Sequence, residues 1–198
     1  MPHELLLRAI HSFQPTDTRE QQTKQRMLKF ATSASQPFDR RNIKGHFTAS
    51  GLLFSPDGAW VCLGFHRKLS AWLQFGGHAE DGECDPFEIA LRETREESGL
   101  RAIVTPPTAP APFDLDIHTI PPYRGVPFHN HFDTRYLFIA NPNLTLSANK
   151  SEHDVVRWFP LGELSTLHLD ASLMRTIFRA QKWFQLARDV WHHGKFLH

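Results

Sequence analysis

The chain is poor in cysteine, with Cys62 and Cys84 the two thiols among 198 residues. Two thiols cannot build the disulfide framework that small secreted domains use to supplement a thin core, so a reducing compartment is expected. Excess charge of either sign is equally scarce, since 22 Lys and Arg stand against 21 Asp and Glu. That balance removes the electrostatic footprint of a nucleic-acid binder and argues against an acidic tail. Long apolar runs are missing too: none reaches the roughly eighteen residues a membrane helix needs. The leucine cluster near the start lies between Glu4 and Arg8, a poor signal peptide. No internal repeat or low-complexity stretch stands out. A soluble, cytoplasmic chain with neither a nucleic-acid nor a membrane partner is the expectation, and homodimerisation stays open.

The 40% hydrophobic content is enough for one domain with a substantial core. Leu5, Leu6, Ala9, Ile10 and Phe13 recur at helical spacing, and Asp17 with Glu20 has the form of a capping box opening a second helix that ends near Ala34. Residues 1–44 thus read as a helical extension to a domain over 45–198. Two apolar runs, 47–54 and 59–65, flank Ser55-Pro56-Asp57-Gly58 and predict a hairpin. Further strands are expected over 113–118, 128–140 and 155–159, with a proline-rich loop at 106–112. A last helix from Asp170 places Leu173, Ile177, Ala180, Phe184 and Ala187 on one stripe.

The chemistry concentrates in GGHAEDGECDPFEIALRETREESGL, residues 76–100. Asp85 is a good N-cap, Pro86 suits the first helical position, Glu88 follows the cap by three residues, and Gly99 is a natural stop. On the wheel, Phe87, Ala90, Leu91, Thr94 and Ser98 form a stripe that should be buried, while Glu93, Glu96 and Glu97 gather on another side. Three carboxylates at these spacings repel one another, so a helix gains nothing from them without a cation. Oxygen-only ligands suit a hard divalent ion such as Mg²⁺. The plainer reading is a solvated acidic face balanced by Arg92 and Arg95.

The wider pattern favours the metal, because this segment resembles the signature of the Nudix hydrolases, Gx5Ex7REUxEExGU with U a bulky apolar residue. Gly77, Glu83, Arg92, Glu93, Glu96, Glu97, Gly99 and Leu100 match by type, and Trp72-Leu73-Gln74-Phe75-Gly76-Gly77 resembles the family's WxxPGG lead-in. Eight residues rather than seven separate Glu83 from Arg92, so that counting back from Arg92 puts Cys84 in the Glu slot. The extra residue is expected in the loop before Asp85, leaving the register of the carboxylates intact. Thr94 and Phe75 also depart from the pattern, at positions that are not ligands.

The resemblance implies an α/β/α sandwich with a mixed sheet. It also implies Mg²⁺ or Mn²⁺ held by Glu93, Glu96 and Glu97 with help from Gly77, and hydrolysis of a diphosphate in a nucleoside diphosphate linked to another moiety. Arg92 would orient a glutamate. Glu152 resembles an acidic position that supplies a further ligand or the general base in several members, with a loop surface charge as the alternative.

Outside the signature, GHFTAS, HRKLSAWLQFGGH, DIHTIP and HNHFDTRYLF resemble a bacterial Nudix subgroup. As a strand, 128–138 would place His129, His131, Asp133 and Arg135 on one face. His129, His131 and Arg135 are candidate substrate contacts, with ordinary hydrogen-bonded roles and metal ligation as alternatives. Lys68 and His78, near the diglycine, are candidate phosphate ligands or plain loop residues. Two other functions compete. One is an isomerase of the isopentenyl-diphosphate type, for which neither cysteine is well placed. The other is a non-catalytic sensing module, against which the complete carboxylate set speaks.

Overall fold

The computed structural model describes residues 2–122, 125–149 and 153–192. Two helices, α1 (Pro2–Ser12) and α2 (Thr18–Ser33), precede a seven-stranded mixed sheet. Its strands are β1 (Gly45–Phe54), β2 (Trp60–His66), β3 (Ala71–Leu73), β4 (Phe75–His78), β5 (Asp114–Ile120), β6 (His129–Ile139) and β7 (His153–Pro160). Helix α3 (Pro86–Ser98) lies between β4 and β5, and α4 (Ala171–His192) follows a 3₁₀ segment at Leu161–Thr166.

The parallel pair β1/β6 forms the centre of the sheet, in register from Gly45 against Asn130 to Phe54 against Ile139. Antiparallel β5 extends it on one side. On the other side β1 splits its edge, pairing β4 over Thr48–Gly51 and β2 at Leu53 and Phe54. β2 in turn carries β3 and β7.

Strand alternation distributes the core to two faces. Ala49, Leu53, Cys62, Tyr136 and Phe138 pack against α3, whereas Leu52, Phe54, Val61, Leu63 and Leu137 pack against α4 through Leu173, Ile177, Ala180 and Phe184. The amino-terminal helices close the α3 side of the sheet, with Leu6, Ile10, Met27 and Ala31 against Phe47, Leu115 and Phe132. The architecture is therefore α/β/α, as expected.

Local signals act as read, with one change. Asp17 caps α2 by accepting from the Glu20 amide, but the Glu20 carboxylate takes the Thr16 amide and Arg179 of α4 instead of returning to Asp17. Glu20 thus ties α2 to the opposite layer. Asp170 accepts from the Ser172 and Leu173 amides at the head of α4.

Phe132 stacks on Phe30 with centroids 4.1 Å apart and lies near Phe47. Phe132→Ala should remove the contact that joins α2 to the sheet and cost about 3–5 kcal/mol in a denaturant titration; a loss below 1 kcal/mol, on the order of a surface change, would show that α2 does not depend on it.

Candidate active site

Helix α3 is defined at both ends. The Asp85 side chain accepts from the Phe87 amide, Pro86 opens the helix, and Gly99 leaves it in the left-handed conformation at φ 74°. Ala90, Leu91, Thr94 and Ser98 are buried as the wheel requires, with Phe87 half-buried. The buried arc is wider than the stripe, because α3 touches β4 and β7 as well as β1 and β6. Ile89 and Glu97 are enclosed too.

The three glutamates therefore do not share one open face. The Glu96 side chain is 48% exposed, Glu93 is 12% exposed and Glu97 3%. Glu97 accepts from the Gly76 amide at 2.9 Å and lies 3.2 Å from His153 Nε2. The Glu93 carboxylate occupies the space that a Cβ on Gly77 would need, so that glycine permits the close approach of β4 to α3. Glu93 and Glu97 thus sit under successive residues of the Gly76-Gly77 pair.

Arg92 organises the remainder. Its Nε and Nη2 donate to the two oxygens of Glu83, each at 2.9 Å, and Nη2 also reaches the His78 carbonyl. Nη1 lies 3.1 Å from Glu93 and 3.2 Å from Glu96. The Glu83 carboxyl is held below its ordinary value, chiefly by these hydrogen bonds, and Arg92 is raised for the same reason. The extra residue is absorbed in the loop between His78 and Pro86, and Glu83 still reaches Arg92 across it.

The other candidates lie elsewhere. Lys68 is exposed in the turn between β2 and β3. Glu152 lies outside the described residues. Arg135 needs correction as a substrate contact: it is 5% exposed and spends its donors on Asp133, Asp116, Ser172 and Thr176. That network reaches α4, so the helix covers the part of the face a substrate would have to reach. Asp116 lies within it; burial alone would raise its carboxyl, but the His118 hydrogen bond and the Arg135 charge outweigh burial and hold it well below the carboxylate range.

His78, His129 and His131 do come together, with His46 and His118, which carried less weight in the sequence reading. The His131 ring lies 4.7 Å from His46, 5.1 Å from His78, 5.3 Å from His129 and 5.4 Å from His118, between centroids. His153, the partner of Glu97, was also missed. Its only sequence signal is proximity to Glu152. Among the described residues the oxygens of Glu93, Glu96 and Glu97 do not converge within 4.8 Å, whereas nitrogens of His46, His129 and His131 do.

The comparisons agree with this architecture. A family model for the NUDIX domain matches residues 44–181, and the chain belongs to the Nudix family. Among solved structures, a C. elegans Ap4A hydrolase binary complex is similar at TM-score 0.55 and 16% identity, over 70% of this chain and 97% of that one. A NUDIX-family hydrolase from Clostridium perfringens gives TM-score 0.51 and 24% identity, over 72% and 97%. The E. coli dihydroneopterin triphosphate pyrophosphohydrolase gives 0.50 and 16%, over 66% and 91%. No curated protein matches significantly. No described helix is long and apolar enough to cross a membrane.

Burial, and secondarily neighbouring positive groups, lowers His46 to about 4, His78 to about 3 and His131 to about 2 from an ordinary 6.5. The unfolded chain then binds more protons below that ordinary value, so stability present above it is lost as pH falls toward the folded values. In chelator, the melting temperature at pH 5 should lie several degrees below that at pH 7. Equal melting temperatures would show that these rings titrate freely. A second outcome concerns Gly77→Ala: the added methyl must push the Glu93 carboxylate aside, so the melt should hardly move while pyrophosphohydrolase turnover drops at least about tenfold.

Proposed function

We propose that this Nudix protein is a divalent-metal-dependent pyrophosphohydrolase acting on a nucleoside diphosphate linked to another moiety. The observation that carries the reading is the seating of Glu93 and Glu97 under the Gly76-Gly77 pair, with Arg92 bridging Glu83, Glu93 and Glu96. The all-oxygen donor set of Glu93, Glu96, Glu97 and the Gly77 carbonyl fits a hard ion, Mg²⁺ or Mn²⁺. When bound, such an ion neutralises the diphosphate and lowers the pKa of an attacking water.

The chain's own residues do the positioning. Arg92 keeps the loop over 79–85 on α3 and restrains Glu93 and Glu96. The Gly76 amide and His153 orient the Glu97 carboxylate through one of its oxygens. Glu152 remains the candidate for an additional ligand or base. Lys68 is a candidate phosphate contact from the exposed turn, and His78, His129 and His131 are candidates on the other face of β4. The similarity to structures described as an Ap4A hydrolase and a dihydroneopterin triphosphate pyrophosphohydrolase supports a substrate class built on a phosphoanhydride. An isomerase using Cys62 is disfavoured, since that thiol is fully buried in the core and burial raises its pKa further. The amino-terminal residues 1–44 are proposed as an integral cover of the catalytic unit, and a cytoplasmic location follows from the thiol usage.

A panel of nucleoside diphosphate derivatives, assayed with Mg²⁺ and coupled phosphate detection, tests the reading. Glu97→Gln keeps an acceptor for the Gly76 amide and removes the charge, so it should melt close to the parent. Turnover on the panel's best substrate should fall by roughly 10² to 10⁴, the range for losing a positioned acid, base or comparable group. Full turnover in the variant, or in chelator, would deny the cluster a metal-dependent role in hydrolysis.

A further inference from the structure

The histidines on the opposite face of β4 have features that the hydrolase reading does not use. His46 is 2% exposed, and neither of its ring nitrogens has a hydrogen-bond partner among the described residues. An imidazole always carries a donor or a lone pair at each nitrogen, and leaving a buried polar group without a partner is unfavourable. Its ring neighbours are other imidazoles, His131 at 4.7 Å, His78 at 5.0 Å and His129 at 5.1 Å between centroids, and Asp39 and Arg40 act on it by charge without a hydrogen bond. The arrangement is built by the backbone. His46 and His131 are opposite each other in the β1/β6 register, and Gly45, at φ 136°, has no room for a Cβ against the Asn130 carbonyl.

His129 is set up to accept a cation. Its Nδ1 lies 3.0 Å from the Pro127 carbonyl, which can only accept, so Nδ1 carries the proton and Nε2 the lone pair. That is the outer hydrogen bond by which proteins fix the tautomer of a metal-binding histidine. His118 is held in the same sense by Asp116, through Nδ1 at 3.2 Å, beside the trio.

We propose that His46, His129 and His131 form a transition-metal site, separate from the carboxylate cluster and suited to Zn²⁺. One nitrogen from each lies within 4.8 Å of the others. A tetrahedral Zn²⁺ with bonds of about 2.0–2.1 Å needs them at about 3.4 Å, a closure that small side-chain rotations supply. Three neutral imidazoles favour a borderline ion, whereas Mg²⁺ prefers oxygen. Three protein ligands leave a fourth position for water or a substrate oxygen, the pattern of reactive rather than structural zinc. Gly77 faces Glu93 on one side of β4, and His78 projects to the imidazoles from the other, so the two donor sets are divided by that strand. The site stands whether or not the carboxylates catalyse hydrolysis.

The test uses the full chain, stripped with chelator, dialysed and titrated with Co²⁺ as a spectroscopic stand-in for Zn²⁺. The expected result is a first equivalent with the intense visible bands of a four-coordinate, nitrogen-rich ion, displaced by Zn²⁺ but not by excess Mg²⁺. His129→Gln and His131→Gln should each weaken that binding by more than the roughly 10–100-fold that loss of an outer partner costs. Glu93→Gln should leave the bands unchanged. Absence of binding by the folded parent chain, only the weak spectrum of an oxygen-ligated ion, or bands lost in Glu93→Gln and kept in His129→Gln would each overturn the proposal. The parent spectrum decides the matter alone if a histidine variant does not fold.

Discussion

The structure depends on the parallel register of β1 against β6. Ten consecutive residues of β1 pair with ten of β6, and side chains on each strand alternate between the α3 and α4 faces. A shift of one residue would send Phe47, Ala49 and Leu53 to the α4 side and His46, Thr48 and Ser50 to the α3 side. Both cores would then be lost, and so would the polar contacts. Thr48 and Ser50 donate to Asp133 across this pair, and His46 meets His131 across it. The same register thus specifies a core and the placement of histidines contributed by both strands.

Beyond Asp133 the α4 face becomes a buried ionic network. Arg135 lies 3.1 Å from both Asp133 and Asp116, while Arg175 of α4 reaches Asp114 at 2.7 Å. Ser172 donates to Asp116 and Thr176 to the Asp114 oxygen that Arg175 also reaches, while Asp114 Oδ1 has no hydrogen-bond partner among the described residues. Burying charge is costly unless every partner is present, and breaking such a pair leaves an uncompensated ion. The network therefore adds more to the placement of α4 than to net stability. It also explains why one polar strand face has two fates: α4 covers its Asp133–Arg135 half, and its histidine half lies beyond the helix.

Legibility in the sequence follows the range of the interactions. Helix α3 was readable almost to the residue because Asp85, Pro86 and Gly99 act within one turn of their own backbone. The hairpin was readable from Ser55-Pro56-Asp57-Gly58 for the same reason. Alternation correctly groups His129, His131, Asp133 and Arg135, yet it carries no information on what covers a face, so it leaves Arg135 open between a substrate contact and the buried hydrogen-bonded role it has. Glu97 lies three residues after Thr94, at the border of the apolar stripe, and only the wrapping of β4 and β7 around α3 encloses it. The His46–His131 pairing was out of reach, since it rests on a parallel register between strands some 85 residues apart.

The division of donors by β4 has a chemical consequence. Carboxylate oxygens on the α3 side suit a small, strongly hydrated ion that exchanges readily and accepts phosphate oxygens. Imidazoles on the α4 side suit an ion higher in the Irving–Williams order, which a carboxylate cluster cannot exclude by raw affinity. The imidazole set, by taking the stronger-binding ion, would keep it from competing for the glutamates. His78 occupies the crossing point: its carbonyl accepts from Arg92 beside the carboxylates, while its ring packs on His46 and His131. A displacement of β4 therefore cannot alter one donor set without moving the other.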